Sequence, residues 1–114
     1  MSVKIYRNTT KPEVIGSCPQ CHSEVLDGKQ KYYCTNLFKG KCRFSLNKHY
    51  FRRWGEMRPL SKAGMSHLLL GRGIRLKNLV TVRKGHMFDC LGYLAWIPQF
   101  NRWGIEFEDI YWHD

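Results

Sequence analysis

The second half of the chain begins with apolar residues at the spacing of an amphipathic helix. Met65, Leu68 and Leu69 fall on one face of a helix predicted over residues 62–70. Ser61, just before this segment, is a favourable N-cap because its hydroxyl can accept a hydrogen bond from a free backbone N–H of the first turn. Two glycines follow the last apolar position and predict the end of the helix.

After this helix, β-prone segments separated by turn residues predict an antiparallel sheet. Residues 74–82 and 86–97 are predicted strands, joined by a tight Arg-Lys-Gly turn. Residues 103–108 predict a third strand, in which Ile105 and Phe107 lie on one face and acidic residues on the other.

Four cysteines in the first half have the spacing of metal ligands. Cys18 and Cys21 are separated by two residues, and Cys34 and Cys42 follow after gaps of twelve and seven residues. The first pair predicts a knuckle that points both sulfurs at one ion, and a second pair from a hairpin completes a tetrahedron. Four thiolates in a closed site favour Zn²⁺ in a structural rather than a catalytic role. The sequence therefore predicts a structural zinc site.

Two alternatives to this site remain open from the residues alone. Some of the cysteines can be buried free thiols, which behave as small apolar residues. In a narrower alternative, His22 or His49 replaces one thiolate, because imidazole also binds zinc. The fifth cysteine, Cys90, lies in a predicted strand and is expected to be a buried thiol.

The chain divides into three predicted parts. Residues 1–15 are an N-terminal extension, residues 16–54 form the zinc ribbon, and residues 55–114 form a second unit. The ribbon has short β-prone pieces at 31–35 and 43–46 and too little apolar material to fold without its metal. The predicted fold class is α+β: a small four-cysteine zinc ribbon followed by a helix and a short antiparallel sheet.

Composition and charge narrow the classes of function. The chain has 114 residues, too few for a large multi-domain enzyme, and its formal charge of +10 predicts an anionic partner. With 43% hydrophobic and 14% aromatic residues, it does not have the composition of a disordered basic tail. A bilayer-spanning apolar run and a secretory signal are both absent from the sequence, so a cytoplasmic location without membrane association is expected.

Basic and aromatic residues are interleaved through the first half, a pattern typical of single-strand binding. Basic groups neutralise phosphates, and exposed rings stack on unpaired bases. The predicted contact residues are Lys29, Lys31, Tyr32, Phe38, Lys39, Lys41, Arg43, Lys48, Arg52, Arg53 and Trp54. A second predicted phosphate-contacting patch consists of Arg72, Arg75, Arg83 and Lys84. The alternative is that many of the rings form the small core, as expected for Tyr33 and Phe44, and that the charges only face solvent.

The order of these motifs resembles a known family. The stretch GSCPQCHSEVLDGKQKYYCTNLFKGKCRFSL resembles the four-cysteine zinc modules in the C-terminal regions of type IA DNA topoisomerases, and LSKAGMSHLLLGRGIRLKNLVTVRKGHMFDCLGYLAW is similar to the repeat that follows them. The family's cleavage machinery has no room in this chain. The resemblance therefore implies an accessory module that binds DNA without cleaving it.

The leading hypothesis is a non-enzymatic zinc-ribbon protein that binds DNA and prefers single strands. Sequence patterns of catalytic triads, phosphate loops and paired carboxylates are missing. The second hypothesis is a phage or mobile-element factor that binds and inhibits a host nucleic-acid enzyme or its nucleoprotein complex. Its protein-binding surface would be the acidic, aromatic C-terminus, with Glu106, Glu108, Asp109, Tyr111 and Trp112. RNA is a third possible ligand, because stacking and phosphate contacts serve either polymer.

Overall fold

The computed structural model describes residues 12–113, whose first half forms a four-stranded antiparallel sheet. Its strands follow chain order: β1 (Val14–Ser17), β2 (Glu24–Asp27), β3 (Lys31–Cys34) and β4 (Ser45–Asn47). The last residues of the predicted N-terminal extension therefore belong to a strand, and residues 1–11 lie outside the described part. β1 and β2 are four residues each and show no clear alternation, so periodicity did not predict them.

The second half supplies the helix and a three-stranded antiparallel sheet, which confirms the α+β fold class. In order, these elements are a 3₁₀ helix (Tyr50–Trp54), α1 (Lys62–Leu69), β5 (Ile74–Val80), β6 (Met87–Ile97), a short 3₁₀ turn (Pro98–Phe100) and β7 (Arg102–Trp112). Ser61 caps α1 as predicted, since its Oγ accepts a hydrogen bond from the Gly64 N–H at 3.0 Å. Among residues 12–113, none of the helices has the length and apolar character needed to cross a membrane.

One buried core joins the two sheets. Phe44 and Leu46 from the first sheet, Met65 and Leu68 from α1, and Ile105 from β7 belong to the same cluster of buried side chains. α1 therefore packs between the cysteine-bearing half and the second sheet. Burying these side chains removes apolar surface from water, which is the main favourable contribution to folding.

Tyr32 also lies in this core, so its predicted role in stacking on bases is wrong. Its side chain is 1% exposed, and its hydroxyl donates a hydrogen bond to the Leu60 carbonyl at 2.7 Å. Burial, with a smaller contribution from the Asp27 carboxylate, raises the pKa of Tyr32 to about 12. Register decides this position: Tyr32 pairs with the buried Leu46, whereas Tyr33 pairs with Ser45 on the opposite face.

β7 extends four residues beyond its predicted end at residue 108. The alternation of apolar and polar residues did not reveal this extension, because bulges interrupt it. Asn78 in β5 and Asp109 in β7 have left-handed backbone conformations, and each lies where the register with β6 shifts. Asp89 of β6 is placed beside both irregularities. Its Oδ1 accepts the Asn78 N–H at 2.9 Å and lies 2.9 Å from the His113 Nε2.

Replacing Asp89 with Ala is expected to lower the thermal midpoint at pH 7 by a few degrees. The hydrogen bond from the Asn78 N–H, followed by the contact with His113, holds the pKa of Asp89 below its ordinary value. A depressed pKa contributes stability above the unfolded pKa of about 3.9, and that stability is lost as the pH falls through the folded value. The difference in midpoint between wild type and Asp89→Ala should therefore shrink on acidification. A constant difference from pH 7 to pH 2, or a similar effect from the exposed Glu106→Gln, would contradict this.

Candidate metal centre and basic groove

The fold brings Cys18, Cys21, Cys34 and Cys42 together at one end of the first sheet. Their four sulfur atoms all lie within 4.8 Å of one another. Cys18 follows β1, Cys21 lies in the turn before β2, Cys34 ends β3, and Cys42 precedes β4. The turn between β1 and β2 and the β3–β4 hairpin therefore each present two sulfurs to the same point.

The distances between these sulfurs fit a tetrahedral metal site. The Sγ atoms of Cys18 and Cys42 are 3.6 Å apart, and those of Cys21 and Cys34 are 3.4 Å apart. Both distances are far longer than a disulfide bond of about 2.0 Å. A tetrahedron with metal–sulfur bonds of about 2.3 Å has edges of about 3.8 Å. The four cysteines can therefore hold one metal ion at their centre.

Backbone and side-chain donors orient the sulfurs. The Gln20 N–H points to the Cys18 Sγ at 3.3 Å, and the Asn36 N–H points to the Cys34 Sγ at 3.4 Å. The Asn36 Nδ2 lies 3.6 Å from the Cys21 Sγ and donates to the Ser23 Oγ at 2.9 Å. Such contacts stabilise negative charge on sulfur, as expected in a thiolate site.

The cysteine pKa values differ because hydrogen bonds stabilise one thiolate and burial disfavours two others. Hydrogen bonds from the Ser23 backbone and hydroxyl lower the pKa of Cys21 to about 6. Burial raises the pKa of Cys34 to about 12 and also raises that of Cys42. Buried thiolates need a compensating cation, which a metal ion at the centre would provide.

The other candidate ligands lie elsewhere. Among the residues that the structure describes, neither His22 nor His49 belongs to the clustered group, which consists of cysteines alone. Cys90 is buried beside Leu79 and Phe88 in a separate small cluster, as expected for a buried thiol.

A basic, aromatic groove of about 710 Å³ lies between the two sheets. Its walls come from β3, β4 and the 3₁₀ helix on one side and from the β6–β7 connection and β7 on the other. The cationic side chains that line it are Lys31, Arg43, Arg53 and Arg102, and the aromatic ones are Tyr50, Trp54, Phe100, Trp103 and Phe107. Within residues 12–113, the lining includes no acidic side chain. The groove therefore attracts anions and offers rings beside the charges.

Long-range contacts hold the two walls in place. The Ile105 N–H donates to the Tyr50 hydroxyl at 3.1 Å, and the Trp54 ring packs edge-on against Phe107 with centroids 5.0 Å apart. Gly104 permits the close approach of Tyr50 to β7, since a Cβ there would lie 2.7 Å from the Tyr50 hydroxyl oxygen. The walls of the groove are therefore packed against the folded core.

Two cations in the groove lie over aromatic rings. The Arg102 guanidinium carbon is 5.6 Å from the centroid of Phe100, and that of Arg53 is 5.2 Å from the Trp54 ring. Phe100 is 63% exposed, so one face of its ring is available to a ligand. Each pair can place a positive charge beside a stacked base.

The structure places four of the predicted contact residues in this groove: Lys31, Arg43, Arg53 and Trp54. Sequence reasoning missed Arg102 and Phe100, which come from the far end of the chain. The signal was present, because the segment Phe-Asn-Arg-Trp at 100–103 repeats the basic and aromatic interleaving of the first half. Of these four residues, only Trp103 was assigned a place, as the first residue of the third predicted strand.

The loop between Cys34 and Cys42 continues this basic surface. Phe38 is 77% exposed, and Lys39 and Lys41 on the same loop are also exposed. The Phe38 ring packs edge-on against Tyr33, with centroids 5.4 Å apart. Tyr33 lies two residues after Lys31 along β3, so both side chains are on the same face of the sheet, and Lys31 lines the groove.

Lys48 is not free to contact phosphate as predicted. Its ammonium forms an ion pair with the Asp27 carboxylate and lies 4.8 Å from the centroid of the buried Tyr32 ring. Its side chain is only 18% exposed. Lys48 is thus part of the support of the first sheet, in contrast to the neighbouring cations of the groove.

The remaining predicted contacts lie outside the groove. Lys29 and Arg52 are exposed on the surface of the first half. Arg75 lines a separate cavity of about 230 Å³, together with Glu56 and Arg58, whose charges pair with each other. The other members of the second patch, Arg72, Arg83 and Lys84, are exposed in turns of the second half.

Comparison with protein-family models, with curated proteins and with solved structures yields no match to this chain.

Proposed function

We propose that this protein is a non-enzymatic zinc-ribbon protein that binds single-stranded nucleic acid, with DNA as the preferred ligand. The observation that carries this proposal is the groove, where four cations and five aromatic rings line one cavity without an acidic side chain among residues 12–113. The predicted resemblance to topoisomerase zinc modules agrees with this function and stays a prediction.

The chain's own side chains explain why single strands suit this surface. Lys31, Arg43 and Arg102 can neutralise backbone phosphates and release their counterions. The exposed Phe100 ring offers a stacking surface for an unpaired base. A duplex already stacks its bases internally, so it would use the cations and forgo the ring. We therefore expect tighter binding to single strands and little dependence on base sequence.

Zinc is the metal we propose for the four cysteines, because four thiolates in a closed tetrahedral arrangement suit Zn²⁺. Bound zinc would supply a structural cross-link between the knuckle and the β3–β4 hairpin. Cys34 and Cys42 flank the loop that carries Phe38, so the ligand set also fixes both ends of that exposed loop.

A salt titration of binding tests the proposal. Fluorescence anisotropy with labelled single-stranded and duplex oligonucleotides should show the tighter affinity for the single strand. If the four groove cations contact phosphates, the logarithm of the affinity should fall against the logarithm of salt with a slope of about −3. Absence of binding to either polymer at low salt would refute the function, and a parallel series with RNA would show which sugar is preferred.

Phe100→Leu is expected to weaken single-strand binding by about tenfold while duplex binding changes little. Leu retains an apolar side chain at this exposed position but cannot stack, and loss of one base–ring contact costs about 1–3 kcal/mol. Phe38→Leu is the companion variant. Its effect should appear with long oligonucleotides and vanish with short ones, because Phe38 lies on the loop beyond the groove. Equal effects of Phe100→Leu on single strand and duplex would contradict the stacking role.

A second candidate function is binding to a protein that acts on nucleic acid, such as a host enzyme. The observation that favours it is the exposure of Ile110, Tyr111 and Trp112 on β7, an edge of the sheet formed by the described residues. Unpaired edge strands are suited to pairing with another chain. Capture of one specific protein after nuclease treatment, lost on Tyr111→Ser, would favour this candidate over the first.

A further inference from the structure

We infer that a hydrogen bond between Gln20 and Trp103 couples the metal centre to the basic groove, so that metal occupancy of the four-cysteine site controls nucleic-acid binding. This inference rests on the proposed function and adds a means of its regulation. The two residues lie 83 positions apart in the chain, and the Trp103 Nε1 donates to the Gln20 Oε1 at 3.1 Å.

Gln20 contacts the metal centre and the groove wall at the same time. It lies in the knuckle between Cys18 and Cys21, where its own N–H points to the Cys18 Sγ at 3.3 Å. Its side chain accepts the indole N–H of Trp103, which lines the groove. A change in the position of the knuckle therefore moves the partner that orients Trp103.

A second contact reaches Trp103 from the other pair of cysteines. Its ring packs edge-on against Phe44, with centroids 5.5 Å apart. Phe44 is fully buried two residues after Cys42, and its carbonyl accepts the Cys34 N–H at 3.1 Å. Both the knuckle and the hairpin of the metal site thus contact the same indole.

Metal loss would remove the restraint on these contacts. The knuckle is a short turn after β1 that two backbone hydrogen bonds close, from the Cys18 N–H to the Ser23 carbonyl at 2.7 Å and from the His22 N–H to the Cys18 carbonyl at 2.9 Å. Binding of a metal ion by its two cysteines would fix the position of this turn relative to the hairpin. Without it, Gln20 is free to leave Trp103, whose N–H then needs another acceptor. Trp103 would rotate within the groove, and the wall beside Arg43 and Arg102 would lose its shape. Weaker nucleic-acid binding follows.

A zinc titration of the reduced, full-length chain tests this coupling. After chelator treatment and buffer exchange, zinc chloride is added while tryptophan emission and oligonucleotide anisotropy are recorded. We expect both signals to change together and to saturate at one zinc per chain, with at least a tenfold gain in affinity. Trp103→Phe should abolish most of the zinc-dependent emission change, which assigns the signal among the tryptophans.

Gln20→Met separates coupling from simple folding. Met retains the length of the side chain and all four cysteines but lacks the acceptor oxygen. The variant should still bind one zinc per chain, with a diminished emission change and about 3- to 10-fold weaker oligonucleotide binding, the loss expected for one hydrogen bond. Gln20→Glu retains an acceptor and should restore the emission change. Gln30→Met, in the exposed turn before β3, is the matched control and should behave as wild type.

The outcomes distinguish this inference from the proposed function. Wild-type affinity that is independent of zinc, or a zinc-loaded Gln20→Met that binds oligonucleotide as tightly as wild type, would overturn the coupling alone. Failure of the zinc-loaded wild type to bind any oligonucleotide would overturn the proposed function, and the coupling to binding with it. If Gln20→Met does not take up zinc, the zinc-loaded Trp103→Phe decides, since it removes the same hydrogen bond and retains an aromatic ring. Oligonucleotide affinity equal to that of wild type in this variant would overturn the coupling.

Discussion

Replacing Cys34 with Ser is expected to abolish metal binding and to unfold the first sheet. A serine hydroxyl is not deprotonated near neutral pH and cannot replace a thiolate. Structural zinc sites contribute about 10–16 kcal/mol of apparent binding free energy in small zinc modules. That is as large as the whole stability of a typical domain, about 5–15 kcal/mol. Metal analysis should show the loss of the ion, and NMR amide dispersion should show the loss of the first sheet in the same sample.

The size of this effect follows from the small core of the first sheet. Its strands are three or four residues long, and three of the sulfur ligands, Cys18, Cys34 and Cys42, are themselves buried members of the core cluster. Removing the ion leaves these sulfurs packed together without a central cation. The second sheet retains packing of its own around Leu79 and Phe88 and should lose less structure. The buried residues of α1 belong to the core shared with the first sheet, so the helix should be affected more.

Cys90→Ala is the matched control for this experiment. Cys90 is also a buried cysteine, but it lies apart from the metal group in the second cluster. The variant should retain one metal ion per chain and an intact first sheet, with only the modest cost of a small cavity. A metal-free wild-type protein with unchanged amide dispersion and thermal midpoint would contradict the structural role of the metal.

Local signals made the helix and the cysteine group predictable. The cap at Ser61 and the apolar face of Met65 and Leu68 belong to one continuous segment, and the helix appears there. The two-residue spacing of Cys18 and Cys21 fixes a turn by itself, so this half of the metal site also follows from neighbouring residues.

The groove and the predicted contact residues that lie outside it depend on long-range packing, which the sequence pattern does not show. Arg102 faces Lys31 and Arg43 across the cavity because β7 returns to the first sheet, which no local pattern specifies. Tyr32 was wrongly predicted for a related reason. In a strand of four residues, alternation cannot say which face is buried, and the pairing of β3 with β4 decides it. Lys48 follows β4, and its ion-pair partner Asp27 lies 21 positions earlier in the chain, so neighbouring residues gave no sign of the pair. The bulge at Asp109 likewise concealed the end of β7.

Reversing two charges across the groove, in Arg43→Glu combined with Arg102→Glu, is expected to weaken single-strand binding by about 100-fold or more at low salt. Both side chains are exposed at the two walls of the groove, so the substitutions should leave the fold intact. Each lost hydrogen bond to a charged partner costs about 1.5–3 kcal/mol, and repulsion between glutamate and phosphate adds to this loss. The salt slope should fall toward zero in the same titration.

A double reversal in the second basic patch, Arg83→Glu with Lys84→Glu, tests whether position or total charge matters. Each double variant lowers the formal net charge from +10 to +6, because two positive charges become two negative ones. If the groove binds the strand, the Arg83 and Lys84 variant should lose less than about threefold in affinity, since its altered side chains lie in an exposed turn of the second half. Equal losses in the two variants would mean that the strand senses only overall charge, and the groove would then have no special role in binding.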